Sequence, residues 1–246
     1  MDANVKNTEV GAALVNDPAV IAARAKIAYF GRMLFERQLT DAAGGNISVR
    51  AHAETGDVVC ITPRYTGQKR QWQIAPEDVL IADLAGNILV GDGQLSRESQ
   101  VHLGLLNEFG DYGTAVIHAH ARNALVFAAT ARAMPPVLEA TRKFGTVPVI
   151  EFAPSHSADL AANVAGAIRG NEARIRKHAA GVIAPWHGLF VIGRDIDATF
   201  DAVERFDVNA YCILMGQLLK GSDSLAGDRA AMEAAIEAYE SRSTES

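Results

Sequence analysis

The sequence lacks the features of a secreted or membrane-spanning protein. Its 246 residues include two cysteines, Cys60 and Cys212, each inside an apolar segment, where a buried free thiol is the usual state. The chain has no run of about 18 apolar residues that could form a transmembrane helix, and its N-terminus lacks the basic start and apolar run of a secretory signal. We therefore expect a soluble, cytoplasmic protein.

An excess of positive charge is also absent. The formal net charge is −6 and the basic residues are dispersed, so neither nucleic acid nor a membrane is an expected partner. With 49% hydrophobic residues and no Pro/Ser-rich linker, the chain can bury one sizeable core. We predict one domain over residues 16–222, a C-terminal helix and tail over 223–246, and a flexible N-terminus over 1–15.

Helical and strand patterns alternate along the chain. Asp17-Pro18 predicts the start of a helix, and residues 79–90 read as a hairpin. Ser96 is expected to cap a helix that runs to about Phe109, residues 146–152 form a strand pattern, and a long helix starts at Asp195. This alternation predicts an α/β protein whose early strands are antiparallel.

The most informative pattern is His118-Ala119-His120, followed later by Trp186-His187-Gly188. The segment from Thr114 to His120 reads as a buried strand, in which alternate side chains share a face, so one ion could contact both histidines. A catalytic divalent metal typically takes three protein ligands and keeps one position open. We predict that His187 is the third ligand and that Gly188 lets the backbone bend beside it.

A single histidine on an apolar strand is more often an ordinary core residue that makes one hydrogen bond. That alternative applies to each of the three histidines taken alone. Two histidines on one strand face, however, leave several ring nitrogens that need partners, at a cost of about 1–3 kcal/mol for each one unmet. The three together therefore favour a metal site.

Glu98, in Ser96-Arg97-Glu98, is the candidate acid–base residue. We place it in the first turn of the helix that starts at Ser96, where the helix dipole favours an ionised carboxylate unless burial raises its pKa. A plain capping role is the alternative. His102, one turn later on the same face, could orient the carboxylate, although an ordinary polar contact is more frequent for such a residue.

Two further segments could bind an anion. Gly44-Gly45-Asn46 and Thr66-Gly67 offer backbone N–H groups and a small hydroxyl, although a Gly-Gly-Asn sequence is more often a plain helix terminus. Arg97 and the segment Arg64–Arg70 add positive charge, for which a solvated surface is the alternative. A phosphate or carboxylate ligand would fit this combination.

Taken together, the motifs resemble those of the class II aldolase/adducin family, in order and in separation. They are Gly45-Asn46-Ile47-Ser48-Val49-Arg50, Ile61-Thr62-Pro63, Ser96-Arg97-Glu98, His118-Ala119-His120 and His187-Gly188. The resemblance implies a three-layer α/β/α sandwich around a mixed, largely antiparallel sheet, and a homotetramer with active sites at subunit interfaces. The family contains sugar-phosphate aldolases, epimerases and dehydratases, aromatic-acid decarboxylases and the non-enzymatic adducin head, so membership does not settle the reaction.

The resemblance also implies roles for individual residues. His118, His120 and His187 would bind Zn²⁺, with Mn²⁺ or another divalent transition metal as the alternative, and Glu98 would move a proton. The residues expected to contact the phosphate of a substrate are Asn46, Thr66, Gly67 and Ser96.

Three departures from the family pattern bear on the substrate. Arg64-Tyr65 separates the Ile-Thr-Pro motif from Thr66-Gly67, and Arg97 replaces a small hydroxyl residue. A guanidinium can bind phosphate or carboxylate through two hydrogen bonds, so we add Arg97 to the substrate-binding residues. Glu139 stands where the fucose-type aldolases have a tyrosine that reaches in from the neighbouring subunit and protonates the leaving aldehyde.

These observations predict a metal-dependent lyase that cleaves a C–C bond by retro-aldol chemistry through a metal-stabilised enediolate. Its substrate would be a small phosphorylated or carboxylated hydroxy-carbonyl compound. A metal-dependent decarboxylase of a hydroxylated aromatic acid is the first alternative. An epimerase or dehydratase of a ketose phosphate, and a non-catalytic adducin-like binding module, are further alternatives; the complete histidine set argues against the last.

Overall fold

The computed structural model of the protein describes residues 3–220 and 224–243. Two short 3₁₀ helices, at Pro76–Asp78 and Glu139–Phe144, accompany the regular elements. The regular elements are α1 (Ala3–Asn16), α2 (Pro18–Glu36), β1 (Asn46–Ala53), β2 (Gly56–Ile61), α3 (Thr66–Arg70), β3 (Leu80–Ala82), β4 (Ile88–Val90), α4 (Ser99–Phe109), β5 (Ala115–Ala119), α5 (Ala124–Ala129), α6 (Ala158–Ile168), α7 (Glu172–Lys177), β6 (Ala179–Ala184), β7 (Gly188–Gly193), α8 (Ile196–Lys220) and α9 (Ser224–Ser243).

The strands form one seven-stranded sheet with the order β4-β3-β2-β1-β5-β7-β6. Every pair of neighbouring strands is antiparallel. Within the described part of the chain, the only parallel pairing is an isolated bridge between Val149 and Ile183. The predicted, largely antiparallel sheet is therefore confirmed.

Each face of the sheet is covered by its own layer of helices. Alternate residues of β5 enter two separate apolar clusters: Ile117 packs in the cluster that contains Ile27 of α2 and Phe206 of α8, whereas Val116 packs in the cluster that contains Leu105 of α4. The period of two in a strand sends successive side chains to opposite faces, so these clusters form two cores. The predicted three-layer α/β/α arrangement is confirmed.

Helix α2 begins as its sequence predicts. The Oδ1 atom of Asp17 accepts hydrogen bonds from the N–H groups of Ala19 and Val20, at 2.8 and 3.2 Å, and Pro18 occupies the first helical position, where its missing N–H costs nothing. The Oδ2 atom of Asp17 also accepts from the N–H of Glu54 at 2.9 Å. One capping residue thus fixes α2 against the β1–β2 hairpin.

Most of the segment over 1–15, for which the sequence predicts a flexible N-terminus, lies in α1, whose Leu14 is buried; its flexibility stays a prediction. One expectation about strands was wrong. Residues 146–152 form no strand but two single bridges, at Val147 and Val149, because Pro148 between them has no N–H to extend a ladder. The predicted domain boundary after residue 222, and residues 244–246 of the tail, lie outside the described residues. No described helix is long and apolar enough to cross a membrane.

Candidate metal centre and active site

The structure brings the three predicted metal ligands together. His118 lies on β5, His120 follows the end of this strand, and their Nε2 atoms are 3.2 Å apart. His187 lies in the turn between β6 and β7, and one ring nitrogen from each histidine lies within 4.8 Å of the others. The three histidines, two from the end of β5 and one from the turn between β6 and β7, thus surround one point.

The Nδ1 atoms of His118 and His120 make hydrogen bonds that identify Nε2 as the nitrogen of each ring that is available to a metal. The Nδ1 atom of His118 is 3.0 Å from the carbonyl oxygen of Leu189, and that of His120 is 3.1 Å from Oδ2 of Asp41. Because these oxygens only accept, each Nδ1 carries the hydrogen, and each Nε2 keeps an electron pair for a metal.

The protonation of the cluster also suits a cation. Burial, together with the nearby His187 and His120, holds the pKa of His118 well below its ordinary value. Burial, with smaller contributions from His120 and His156, lowers the pKa of His187 to about 4. Both rings are therefore neutral at neutral pH, which is the form that binds a metal.

The bend before β7 falls at a different residue from the one expected. Trp186 has a φ of +56°, whereas Gly188 is the first residue of β7. A Cβ atom on Gly188 would lie 2.8 Å from the carbonyl oxygen of Ala119 and 3.0 Å from ring atoms of both His118 and His120. Gly188 is therefore needed for the space that these rings occupy.

Glu98 lies beside the histidines, but at the N-cap of α4 and not in its first turn. Its side chain is buried, Oε1 is 3.6 Å from Nε2 of His187, and Oε2 has no hydrogen-bond partner among the described residues. Burial raises the pKa of Glu98 to about 7, although the charge of Arg97 opposes this. A carboxyl group with such a pKa can both take up and release a proton near neutral pH.

Ser96 holds the loop that carries Glu98 and does not cap the helix as predicted. Its Oγ accepts from Nδ2 of Asn46 at 2.6 Å and from the N–H of Glu98 at 3.3 Å. Both acceptor positions are thereby used, which leaves the hydroxyl hydrogen for donation. His102 makes the ordinary polar contact that was the more frequent alternative: it is buried in α4, with Nδ1 2.7 Å from Oγ of Ser48.

A cavity of about 400 Å³ lies beside the histidine cluster and Glu98. It is lined by the three histidines, by Glu98 and by the five predicted substrate-binding residues, Asn46, Thr66, Gly67, Ser96 and Arg97. Ser155 and His156 also line it; sequence reasoning missed both, because they lie in a loop without periodicity. The predicted residues therefore share one cavity with a loop that was missed.

The basic residues divide into two groups. Arg64 and Arg97 line the cavity, and the Arg64 guanidinium lies 4.7 Å from the ring centroid of Tyr65. Lys69 and Arg70 do not line the cavity, and Arg70 is paired with Asp78. Of these basic residues, Arg64 and Arg97 therefore line the space beside the histidines.

Glu139 does not reach this cavity within one chain. It lies in the 3₁₀ helix Glu139–Phe144 and lines a separate cavity of about 830 Å³ with Arg142 and Lys143. Within one chain, Glu139, the residue at the position of the interfacial tyrosine of the fucose-type aldolases, therefore contributes no group to the histidine site.

Comparisons with known proteins agree with this geometry. A sequence model described as "Class II Aldolase and Adducin N-terminal domain" matches residues 25–214. An L-fuculose phosphate aldolase of Methanococcus maripaludis is 29% identical over 174 residues, covering 70% of this chain and 86% of that protein. A methylthioribulose-1-phosphate dehydratase of Pseudomonas savastanoi is 28% identical over 195 residues, covering 75% and 90%. The crystal structure of an L-fuculose-1-phosphate aldolase from Thermus thermophilus has a TM-score of 0.63 at 26% identity, covering 83% of this chain and 97% of that one.

Proposed function

This chain belongs to the class II aldolase and adducin family, and we propose that it is a metal-dependent lyase that cleaves a C–C bond by retro-aldol chemistry. Its substrate is a small hydroxy-carbonyl compound that carries a phosphate or carboxylate group. The observation that carries this proposal is the shared cavity of His118, His120, His187 and Glu98. Relatives named as aldolases and as a dehydratase support an enzyme of this family.

The three histidines fit a divalent transition metal, for which we propose Zn²⁺ and, as the alternative, Mn²⁺. His118 and His187 have neutral rings, and the Nδ1 atoms of His118 and His120 are already hydrogen-bonded, which leaves their Nε2 atoms for a metal. Three imidazole nitrogens with a free position beside them are a common catalytic set for zinc. Nδ1 of His187 is buried and makes no hydrogen bond among the described residues, so this ring has no counterpart to the Nδ1 hydrogen bonds of His118 and His120.

In the proposed reaction, different side chains transfer the proton, position the proton-transfer group and bind the anionic group of the substrate. A bound divalent cation would supply Lewis-acid stabilisation of the negative charge that develops on the substrate oxygens. Glu98 moves the proton at the carbon that carries the new electron pair, because its raised pKa allows both protonation states. Asn46 and Ser96 position Glu98, while Arg64 and Arg97, with Thr66 and Gly67, bind the anionic group.

Decarboxylation of a hydroxylated aromatic acid is the second candidate. The two guanidinium groups of Arg64 and Arg97 on the cavity wall favour it, because guanidinium binds carboxylate as well as phosphate. The same centre would then stabilise the carbanion left by carbon dioxide. Epimerisation or dehydration of a ketose phosphate uses the same proton-transfer group and is a third possibility, supported by the dehydratase relative.

Elemental analysis and a product screen test the proposal. We expect about one divalent metal ion per purified chain and loss of that ion in a His118→Ala, His120→Ala double variant. His52→Ala, which removes an exposed histidine at the other end of β1, is the matched control. Incubation with ketose phosphates and hydroxyaromatic acids should release an aldehyde or carbon dioxide. An aldehyde identifies retro-aldol cleavage, and carbon dioxide identifies decarboxylation. A double variant that keeps the metal and full activity contradicts the site.

The proposed assembly comes from the family resemblance, and the proposed location comes from the sequence. We propose a homotetramer with active sites at subunit interfaces, in the cytoplasm, without nucleic acid or membrane as partners. Light scattering of the purified protein measures the assembly.

A further inference from the structure

A fourth histidine, His156, lines the same cavity as the histidine cluster. It belongs to the loop before α6, its side chain is exposed, and its charge lowers the pKa of His187. We propose that His156 is a second acid–base residue of this site, supplied by the same chain, that exchanges a proton with the hydroxyl oxygen that becomes the aldehyde. This proposal rests on the lyase function proposed above.

One hydrogen bond determines how the His156 ring can act. Its Nδ1 lies 3.1 Å from the backbone carbonyl oxygen of Arg97. A carbonyl oxygen only accepts, so the neutral ring carries its hydrogen on Nδ1, and Nε2 keeps an electron pair. Nε2 can therefore take up a proton, while the bond to the Arg97 carbonyl connects His156 to the loop that carries Glu98.

Retro-aldol cleavage needs two proton transfers at two different atoms. As the C–C bond breaks, its electron pair passes to the carbon of the enediolate, and the hydroxyl of the departing carbon loses its proton to become a carbonyl. His156 Nε2 takes that hydroxyl proton, and protonated Glu98 gives its proton to the enediolate carbon. Atoms and charge balance, and the two side chains return to their starting forms by exchange with water.

Among the residues that line the cavity outside the histidine cluster, Glu98, His156 and Tyr65 have side chains suited to this exchange. Glu98 is already used at the carbon. A neutral imidazole has one nitrogen that donates a hydrogen and one that accepts a proton, whereas a phenol must first lose its own proton before it can take one up. Tyr65 also lies against the guanidinium of Arg64, which places its ring in the anion-binding part of the cavity.

The backbone of His156 is held in an unusual conformation. Its φ is +72°, in the left-handed region that non-glycine residues seldom adopt. The turn is closed by Ser157, whose N–H and Oγ both donate to the carbonyl oxygen of Pro154, at 3.2 and 2.7 Å. Backbone strain of this kind tends to be kept where a side chain must be aimed.

Two substitutions separate proton transfer from positioning. His156→Asn keeps an N–H donor near the place of Nδ1 and tolerates a left-handed backbone, but it cannot exchange a proton. His156→Ala removes both functions. His52→Asn, at an exposed histidine outside the cavity, and Tyr65→Phe are the matched comparisons.

The assay follows each proton separately. Metal-loaded protein is incubated in D₂O with dihydroxyacetone phosphate, and deuterium uptake at carbon reports the step of Glu98. Condensation of the same compound with glycolaldehyde reports both steps. We expect His156→Asn to keep deuterium uptake within about twofold of the parent and to lose condensation by about 10²-fold, with His52→Asn unchanged.

A second readout does not depend on activity. The ¹⁵N side-chain spectrum of metal-free protein, with His156 assigned by its absence in His156→Asn, should show Nδ1 protonated and Nε2 unprotonated in the neutral ring. The opposite tautomer overturns the proposal, as does condensation by His156→Asn at the parental rate or a loss seen only in Tyr65→Phe. Parent protein that takes up no deuterium from dihydroxyacetone phosphate and also releases no aldehyde in the product screen contradicts the lyase function itself, which separates the two failures.

Discussion

Replacing Glu98 with glutamine should stabilise the metal-free protein at alkaline pH and stop catalysis. The carboxyl group is 6% exposed, its Oε2 has no partner among the described residues, and burial raises its pKa from 4.5 to about 7. Because the folded protein binds this proton more tightly than the unfolded chain does, the neutral carboxyl favours folding below about pH 4.5. This advantage declines as the pH rises and is lost above pH 7.

The size of the effect follows from the two pKa values. Each pH unit between them is worth about 1.4 kcal/mol, so ionisation of Glu98 costs the fold about 3 kcal/mol at pH 8 and less than about 1 kcal/mol at pH 5. Glutamine has nearly the same size and stays neutral. Glu98→Gln should therefore unfold with a free energy about 3 kcal/mol above that of the parent at pH 8, and the difference should nearly vanish at pH 5.

Urea unfolding in the presence of a chelator measures this difference at both pH values. Glu36→Gln, an exposed carboxyl at the end of α2, is the control and should show no gain that depends on pH. In the metal-loaded protein the turnover number of Glu98→Gln should fall by about 10²–10⁴-fold with unchanged metal content. An equal gain at pH 5 and pH 8, or normal turnover, would refute the reasoning.

Two further substitutions test the surroundings of the site. Gly188→Ala should weaken metal binding at least about tenfold, measured by competition with a chromophoric chelator, because the added Cβ meets the rings of His118 and His120. Gly104→Ala on α4, where an added Cβ meets nothing within 4 Å, should bind metal like the parent. Arg97→Ala should raise the KM of the substrate identified by the screen and flatten its dependence on salt, whereas Arg70→Ala, paired with Asp78 away from the cavity, should not. An unchanged KM in Arg97→Ala would remove that residue from anion binding.

The parts of the structure that the sequence predicted well depend on local chemistry. Asp17-Pro18 marks the start of α2 because capping and the missing proline N–H act within one turn. The period of two places His118 and His120 on one side of the chain because strand geometry alone decides it. His187 was predicted as the third ligand because a catalytic metal typically takes three protein ligands, and the motif resemblance supported this choice; strand geometry alone could not bring it to the pair, since two strand ends meet only in the folded sheet.

The parts that the sequence mispredicted depend on distant partners. Ser96 is a residue type that often caps helices, but its hydroxyl oxygen accepts a hydrogen bond from Asn46 of β1. Helix α4 therefore starts later, at Ser99. The β-branched run over 146–152 contains Pro148, which limits it to single bridges. His156 gave no signal, because only the packing of its loop against the Arg97 carbonyl brings it to the cavity.

The site has two kinds of support, and they bear on different properties. His118 is fixed by strand register, opposite Asn46 of β1 and bonded to the Leu189 carbonyl of β7, so the geometry of the proposed metal ligands is tied to the sheet core. Arg64, Arg97 and His156 reach the same cavity from loops, which can change without disturbing the sheet. Changes in those loops should therefore alter which substrate is bound while metal content stays constant, which explains why the centre resembles the family while its substrate-facing residues depart from it.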